Sequence, residues 1–179
     1  DGAWYRDELS YAYNNGLIAG TSANMFSPDS LVTRGQVVTV LYRIAGEPSV
    51  KGKTCPFTDL EAGWCRDAII WAYNAGIASG FSASSFGENE NVTREQLAAF
   101  MYRYADKLVY FGNTDTPEAF DAAFSDAGSV SPYAMSAMLW ANGAGIIRGN
   151  TDGTLNPGGT ATRAEFACMM ARFHKLVGC

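Results

Sequence analysis

Three arginines stand in the same local setting: Val32-Thr33-Arg34, Val92-Thr93-Arg94 and Ala161-Thr162-Arg163. Each threonine is followed three residues later by Gln36, Gln96 or Glu165, a capping box in which two side chains close the first turn of a helix from both directions. Each arginine therefore takes the first helical position, where the partial positive charge of the helix start disfavours a cation by about 0.3–1 kcal/mol. Helix stability does not explain it. Two kinds of chemistry do. One is an ion pair with a carboxylate of a neighbouring segment, for which guanidinium is suited. The other is an anion-binding corner made of guanidinium, capping hydroxyl and free first-turn N–H groups, able to take a ligand carboxylate. The two are compatible if the arginine lies in a groove between segments.

Catalytic chemistry finds little support. His174 is the chain's one histidine, and any Ser-His-Asp or Cys-His arrangement would have to be built around it. Its place near a helix C-terminus, on the polar side of the last stripe, reads as a surface position that favours a cation. Carboxylates such as Asp59, Glu61, Asp67 and Asp126 are numerous, but nothing sets two of them apart as a hydrolytic pair. Asn150-Thr151-Asp152-Gly153 fails as a calcium loop, because Arg148 and Gly159 would fall where carboxylates are required, and it reads as a glycine-containing turn. Cys55, Cys65, Cys168 and Cys179 lack the spacing of a zinc knuckle. Pairing within the close couples, Cys55 with Cys65 and Cys168 with Cys179, and buried free thiols both remain open. No catalytic residue, metal or cofactor is expected.

The arginines recur because the chain is a repeat. The offsets of 60 (Arg34 to Arg94) and 69 (Arg94 to Arg163) also superpose Gly16 on Gly76 and Gly145, and Gly20 on Gly80 and Gly149. In the same register Trp4 meets Trp64 and Tyr133, Tyr11 meets Trp71 and Trp140, and Phe26 meets Phe86 and Leu155. The longer second offset falls around Tyr110 to Ala123, where Gly112 to Pro117 reads as a loop. Each unit reads as helix, loop, helix. Trp64, Ala68, Trp71, Ala72 and Ala75 form the apolar stripe of a first helix that stops at Gly76. Behind each capping box runs a second stripe: Val37, Leu41, Ile44; Leu97, Met101, Tyr104; Phe166, Met170, Phe173. Three helices with stripes to bury predict an all-α, pseudo-threefold bundle of three helix-loop-helix repeats, at 1–47, 56–110 and 120–179, sharing one core.

Composition narrows the partners. The 179 residues are 47% hydrophobic and 17% charged, which suits a folded chain, and no apolar run is long enough to span a bilayer. A net charge of −5 argues against nucleic acid and against anionic membranes. An anionic ligand must then be held by a few placed cations. Asp1-Gly2-Ala3-Trp4 has neither the basic segment nor the apolar run of a signal peptide, so the chain reads as an excised piece. Trp4, Trp64 and Tyr133, at the start of the first helices, are either core fillers or stacking platforms for a sugar ring, and exposure decides between them.

The pattern resembles the bacterial S-layer homology repeat, usually present in three copies. Copy three carries it most fully: Phe124-Ser125-Asp126, Tyr133-Ala134, Gly145-Ile146-Ile147-Arg148-Gly149, Leu155-Asn156-Pro157 and Thr162-Arg163-Ala164-Glu165-Phe166. The resemblance implies a compact, monomeric pseudotrimer at the cell wall or S-layer surface. It implies non-covalent anchoring of a secreted protein to acidic, often pyruvylated, secondary cell-wall polysaccharide held in grooves between repeats. Carried over by position, Arg34, Arg94 and Arg163 would bind the anion, Trp4, Trp64 and Tyr133 would wall the grooves, and Asp59 and Asp126 would accept sugar hydroxyls. The alternative is a protein-interaction or surface-layer assembly module, since arginine and aromatic residues also mark protein hot spots.

Copies one and two depart from the family motif at Gln36 and Gln96, at Gly35 and Glu95, and at Glu88 in place of the turn proline, while copy one lacks the Phe-x-Asp segment. Unequal sites are therefore expected, with Glu95 beside Arg94 the strongest source of repulsion. Single alanine replacements of the three arginines, taken as exposed first-turn positions, should weaken binding unequally and leave folding intact.

Overall fold

The computed structural model describes residues 3–60, 63–108 and 117–178, which form seven α-helices, a short 3-10 turn at Ala127–Ser129 and no strand. The helices are α1 (Arg6–Asn14), α2 (Arg34–Ile44), α3 (Arg66–Asn74), α4 (Arg94–Leu108), α5 (Pro117–Ala123), α6 (Met135–Gly143) and α7 (Arg163–Val177). The fold is all-α, as the periodicity predicts.

Local signals set the helix limits. All three capping boxes form: Thr33, Thr93 and Thr162 hydroxyls accept the N–H groups of Gln36, Gln96 and Glu165, whose side chains accept the threonine N–H groups at 3.1, 3.1 and 2.8 Å. At the other end, Gly16, Gly76 and Gly145 are left-handed (φ 68, 72 and 69°), a conformation that costs a side chain dearly. The residues that follow, Leu17, Ile77 and Ile146, fold back and donate to Ala12, Ala72 and Ala141 at 2.8–2.9 Å.

The helices pair across copies. The long second helix of each repeat packs against the first helix of the next: α2 on α3, α4 on α6, and α7 back on α1. A closed ring of backbone hydrogen bonds marks the pseudo-threefold axis, with Val32 donating to Ala161, Ala161 to Val92 and Val92 to Val32 at 2.9–3.1 Å. Single bridge pairs such as Leu31 with Thr162 and Thr33 with Asn91 flank it. The second-helix stripes are buried around this centre, apart from the half-buried Ile44, and residues from all three copies belong to one apolar cluster.

Of the loop read at Gly112 to Pro117, residues 112–116 lie outside the described part, and Pro117 opens α5, where proline's missing N–H is harmless. One expectation fails. Trp64 is not on the α3 stripe: the helix begins at Arg66, and the indole stays in solvent.

Candidate functional site: three grooves between repeats

The first-turn arginines are buried, at 6, 6 and 8% exposure for Arg34, Arg94 and Arg163. Each side chain runs sideways onto the loop of the next repeat. Arg34 donates from Nε to the Phe86 carbonyl (3.0 Å) and from Nη2 to the Ser79 carbonyl (2.8 Å), with its guanidinium 4.8 Å from the Phe86 ring centre. Arg163 repeats this on the Phe26 and Ala19 carbonyls at 2.9 and 2.6 Å. Arg94 reaches the Leu155 carbonyl at 2.8 Å and forms a 2.6 Å ion pair with Glu165. The carboxylate pairing considered from sequence thus occurs at one arginine, and carbonyls take its place at the other two.

The anion-binding corner does not form. First-turn N–H groups that would have faced a ligand are taken by the neighbouring repeat: Arg34 and Gly35 donate to Glu90 and Glu88, Arg94 and Glu95 to Gly159 and Pro157, Arg163 and Ala164 to Ser30 and Pro28, all at 2.8–3.0 Å. This closure also explains the arginine at the unfavourable end of the helix, since the dipole is already met by carbonyls. The expectation that these positions are exposed and dispensable for stability is therefore corrected.

The aromatic positions behave differently. Trp4, Trp64 and Tyr133 are 64, 65 and 54% exposed, which excludes core filling. Each projects over a groove whose other walls come from the two remaining repeats. One groove, of about 390 Å³, brings together Arg34, Gln96, Phe100, Arg103, Tyr133 and the Ser79-Gly80-Phe81 turn. A second, of about 450 Å³, has Arg94, Glu165, Met169, Arg172, Trp4 and the Ile146–Asn150 turn. The third, of about 140 Å³, has Arg163, Gln36, Val40, Arg43, Trp64 and the Leu17–Gly20 turn. Every groove draws on all three copies, so none exists in an isolated repeat.

Sequence reasoning missed a second arginine in each groove: Arg43, Arg103 and Arg172. They obey the same offsets of 60 and 69 and sit nine residues after the first-turn arginines, so the register itself could have found them. Their surroundings differ. Arg172 is held by Glu8 at 2.9 Å and by the Ile146 carbonyl at 3.2 Å. Arg43 and Arg103 have no hydrogen bond or ion pair among the described residues. Burial, with Arg103 close by, lowers the pKa of Arg34. Burial does the same to Arg163. A desolvated cation of this kind gains from an anion brought beside it.

Family models match residues 1–38, 56–98 and 123–167 as S-layer homology domains. The chain belongs to the S-layer homology domain family. Relatives include an endoglucanase of Bacillus sp. (strain KSM-635), 35% identical over 92% of this chain and 17% of that protein. Another is the surface-layer 125 kDa protein of Lysinibacillus sphaericus, 32% identical over 88% of this chain and 13% of that protein. A cellulosome-anchoring protein of Acetivibrio thermocellus is 22% identical over 87% of this chain and 35% of that protein. The chain spans 17, 9 and 15% of the first three curated relatives it matches. The shared part is the S-layer homology region, present in enzymes and surface-layer proteins alike, and it marks a cell-surface anchoring module rather than a catalytic domain.

Other positions of this S-layer homology module take roles unlike those the resemblance implies. Asp59 and Asp126 turn both carboxylate oxygens onto loop backbone: Asp59 accepts from Phe86, Gly87 and the Ser85 hydroxyl at 2.6–2.9 Å, and Asp126 from Leu155 and Asn156 at 2.7–2.8 Å. Desolvation pushes the Asp59 pKa up, but these hydrogen bonds outweigh it and bring the pKa below its ordinary value. The two aspartates brace the groove turns instead of offering free acceptors. Glu95, expected to repel anions at Arg94, lies instead beneath Tyr133. It is 7% exposed and accepts from the Ser131 N–H, the Ser131 hydroxyl and the Tyr133 hydroxyl at 2.9, 2.7 and 3.1 Å. Desolvation and this carboxylate push the Tyr133 phenol up to about 12, keeping it neutral and fixed.

His174 is half-buried, with Nδ1 2.9 Å from the Tyr11 hydroxyl, and burial lowers its pKa, so it is not the exposed cation expected. Cys55, Cys65 and Cys168 are free thiols, and Cys179 lies outside the described residues. Burial and a hydrogen bond to Glu88 push Cys65 up to about 12, which makes it inert at neutral pH.

Proposed function

We propose that this module anchors its parent protein by holding acidic, pyruvylated secondary cell-wall polysaccharide in the grooves between repeats. One observation carries the reading: each groove joins an exposed aromatic face, a buried guanidinium and a second arginine, each from a different copy. The C–H face of a sugar ring packs on the aromatic surface. A ring carboxylate pairs with guanidinium N–H groups not spent on loop carbonyls.

The grooves differ in their fitness for this. Among the described residues, those of Arg34 and Arg163 are lined by two arginines and no carboxylate. In the Arg94 groove, Glu165 and Glu8 neutralise both arginines. Departures at Gln36 and Gln96, which read as losses against the family motif, thereby favour anion binding, because the amide completes the capping box without adding charge. Of the two uncompensated grooves, the one at Arg34 falls within the roughly 300–1,000 Å³ typical of small-ligand sites, whereas the 140 Å³ groove at Arg163 does not. Arg34 and Arg103 therefore form the principal site, walled by Tyr133.

Calorimetry with purified wall polysaccharide, before and after chemical removal of its acidic substituents, tests this. Saturable binding that disappears with the substituents supports the reading. Absence of binding to the intact polysaccharide overturns it and leaves protein–protein assembly as the function of the grooves.

A further inference from the structure

The Arg34 groove does not end at Arg103. A second open cavity, of about 450 Å³, lies on the far side of that side chain, lined by Tyr73, Gly76, Ala78, Ser79 and Arg103, and the two cavities share Ser79 and Arg103. Arg103 is thus a partition reached from both sides. Its guanidinium, without a hydrogen bond or ion pair among the described residues, contrasts with that of Arg172, which Glu8 and the Ile146 carbonyl immobilise.

The second cavity has its own aromatic wall. Tyr73 is exposed, yet its ring is steadied edge-on by Phe57 at 5.3 Å and 79° between planes. A face held this way loses little freedom when a ligand stacks on it. The register places Tyr13 and Asn142 at the equivalent positions of the other copies. The Asn142 amide is turned back onto the Ile147 carbonyl at 2.9 Å. Gly76, left-handed and without a side chain, keeps the floor of the cavity low. On the rim of the first cavity stands Phe81, 69% exposed, where the other copies have Thr21 and Asn150.

We propose that the Arg34 groove is a two-part site, in which the cavity between Tyr73 and Arg103 takes the sugar ring next to the acidic ring held at Arg34. This rests on the polysaccharide reading above and extends it from a single ring to an oligosaccharide of at least two rings. The second ring stacks its C–H face on Tyr73, and Arg103 donates to oxygens of both rings. No bond is made or broken.

The test uses acidic fragments of purified secondary cell-wall polysaccharide, size-fractionated to one, two and three sugars, with the full chain. Affinity should rise about fivefold to tenfold from one ring to two, the gain expected of one added aromatic contact. Tyr73→Ala should abolish that gain and leave one-ring affinity within about twofold, while Tyr73→Phe should keep it, because stacking and not the hydroxyl is at work. Should Tyr73→Ala fail to fold, saturation-transfer NMR on the unaltered protein decides: irradiating aromatic protons must transfer to the second ring. Affinity independent of fragment length, or no transfer to the second ring, overturns the two-part site while the acidic-glycan reading stands. Binding of no fragment of any length overturns both.

Discussion

The Arg34 and Arg94 grooves share a plan and differ in electrostatics. Each has a buried first-turn arginine, a second arginine from the following copy and an aromatic wall from the third. Of these two, among the described residues, only the Arg94 groove has both cations matched, by Glu165 at 2.6 Å and Glu8 at 2.9 Å. The same arginines that could hold a ligand at one seam hold the protein together at the other. Repetition supplied the parts, and one carboxylate at position 165 and another at position 8, where the register has Ala68 and Ala137, decided their use.

That division predicts opposite mutational costs, the largest at Arg94. Removing this side chain strands a largely buried carboxylate and the Leu155 carbonyl, so Arg94→Ala should lower unfolding free energy by about 3 kcal/mol, read from urea titration, with glycan affinity unchanged. Adding Glu165→Gln to that variant should restore part of the loss, since no charge is then left unpaired. A single loss that the second change does not relieve would mean that the ion pair is not what the seam depends on.

Binding should break at the other groove. Arg103 has no partner to abandon among the described residues, so Arg103→Gln should weaken acidic-glycan binding about tenfold or more, the worth of a charge-assisted hydrogen bond, while melting temperature barely moves. Arg172→Gln, at the equivalent position, should do the reverse. Equal effects of the two on affinity would erase the distinction between the grooves. A smaller change should convert one groove toward the other: Glu165→Gln, which copies Gln36 and Gln96, should cost about 1 kcal/mol of stability and raise the number of glycan sites seen by calorimetry.

Much of this architecture is legible in the sequence. The repeat offsets, the capping boxes at Thr33, Thr93 and Thr162, and the stops at Gly16, Gly76 and Gly145 are local signals, and each produces the local structure its chemistry dictates. The site is less so. Whether an arginine meets a carbonyl, a carboxylate or solvent depends on which copy packs next to it, and pairing of each second helix with the first helix of the following repeat is a property of ring closure. Asp59 and Asp126 mislead for the same reason. An acidic residue before a helix suggests a ligand acceptor, but the turn that it braces lies 26 to 30 residues further along the chain. Arg43, Arg103 and Arg172 share the register of the second-helix stripes, so the same offsets of 60 and 69 identify them.

The seam that closes the Arg94 groove also carries the molecule's one histidine, and this gives the comparison a pH dependence. Tyr11 of α1 meets His174 of α7 there, whereas the other two seams pair Tyr42 with Trp71 at 5.4 Å and Tyr102 with Trp140 at 5.7 Å. Burial lowers the His174 pKa. Below about pH 6.5 the unfolded chain therefore takes up this proton before the folded chain does, and stability falls as pH drops from there toward the folded value. His174→Gln keeps a hydrogen-bonding group and cannot titrate. Urea unfolding at pH 7.5 and 5.5 should show a smaller decrease for this variant than for the parent, by a few tenths to about 1 kcal/mol, with carboxylate contributions common to both proteins cancelling. Glu8 works against acid opening of the same seam. Although burial pushes its pKa up, the bond to Arg172 brings it below the ordinary value, so the ion pair persists through this range and is lost only below about pH 4.3. Mild acid should thus loosen the α1–α7 seam without freeing Arg172, and glycan stoichiometry should be the same at pH 7.5 and 5.5. An extra site appearing at pH 5.5 would show that the Arg94 groove is held shut by something weaker than its two carboxylates.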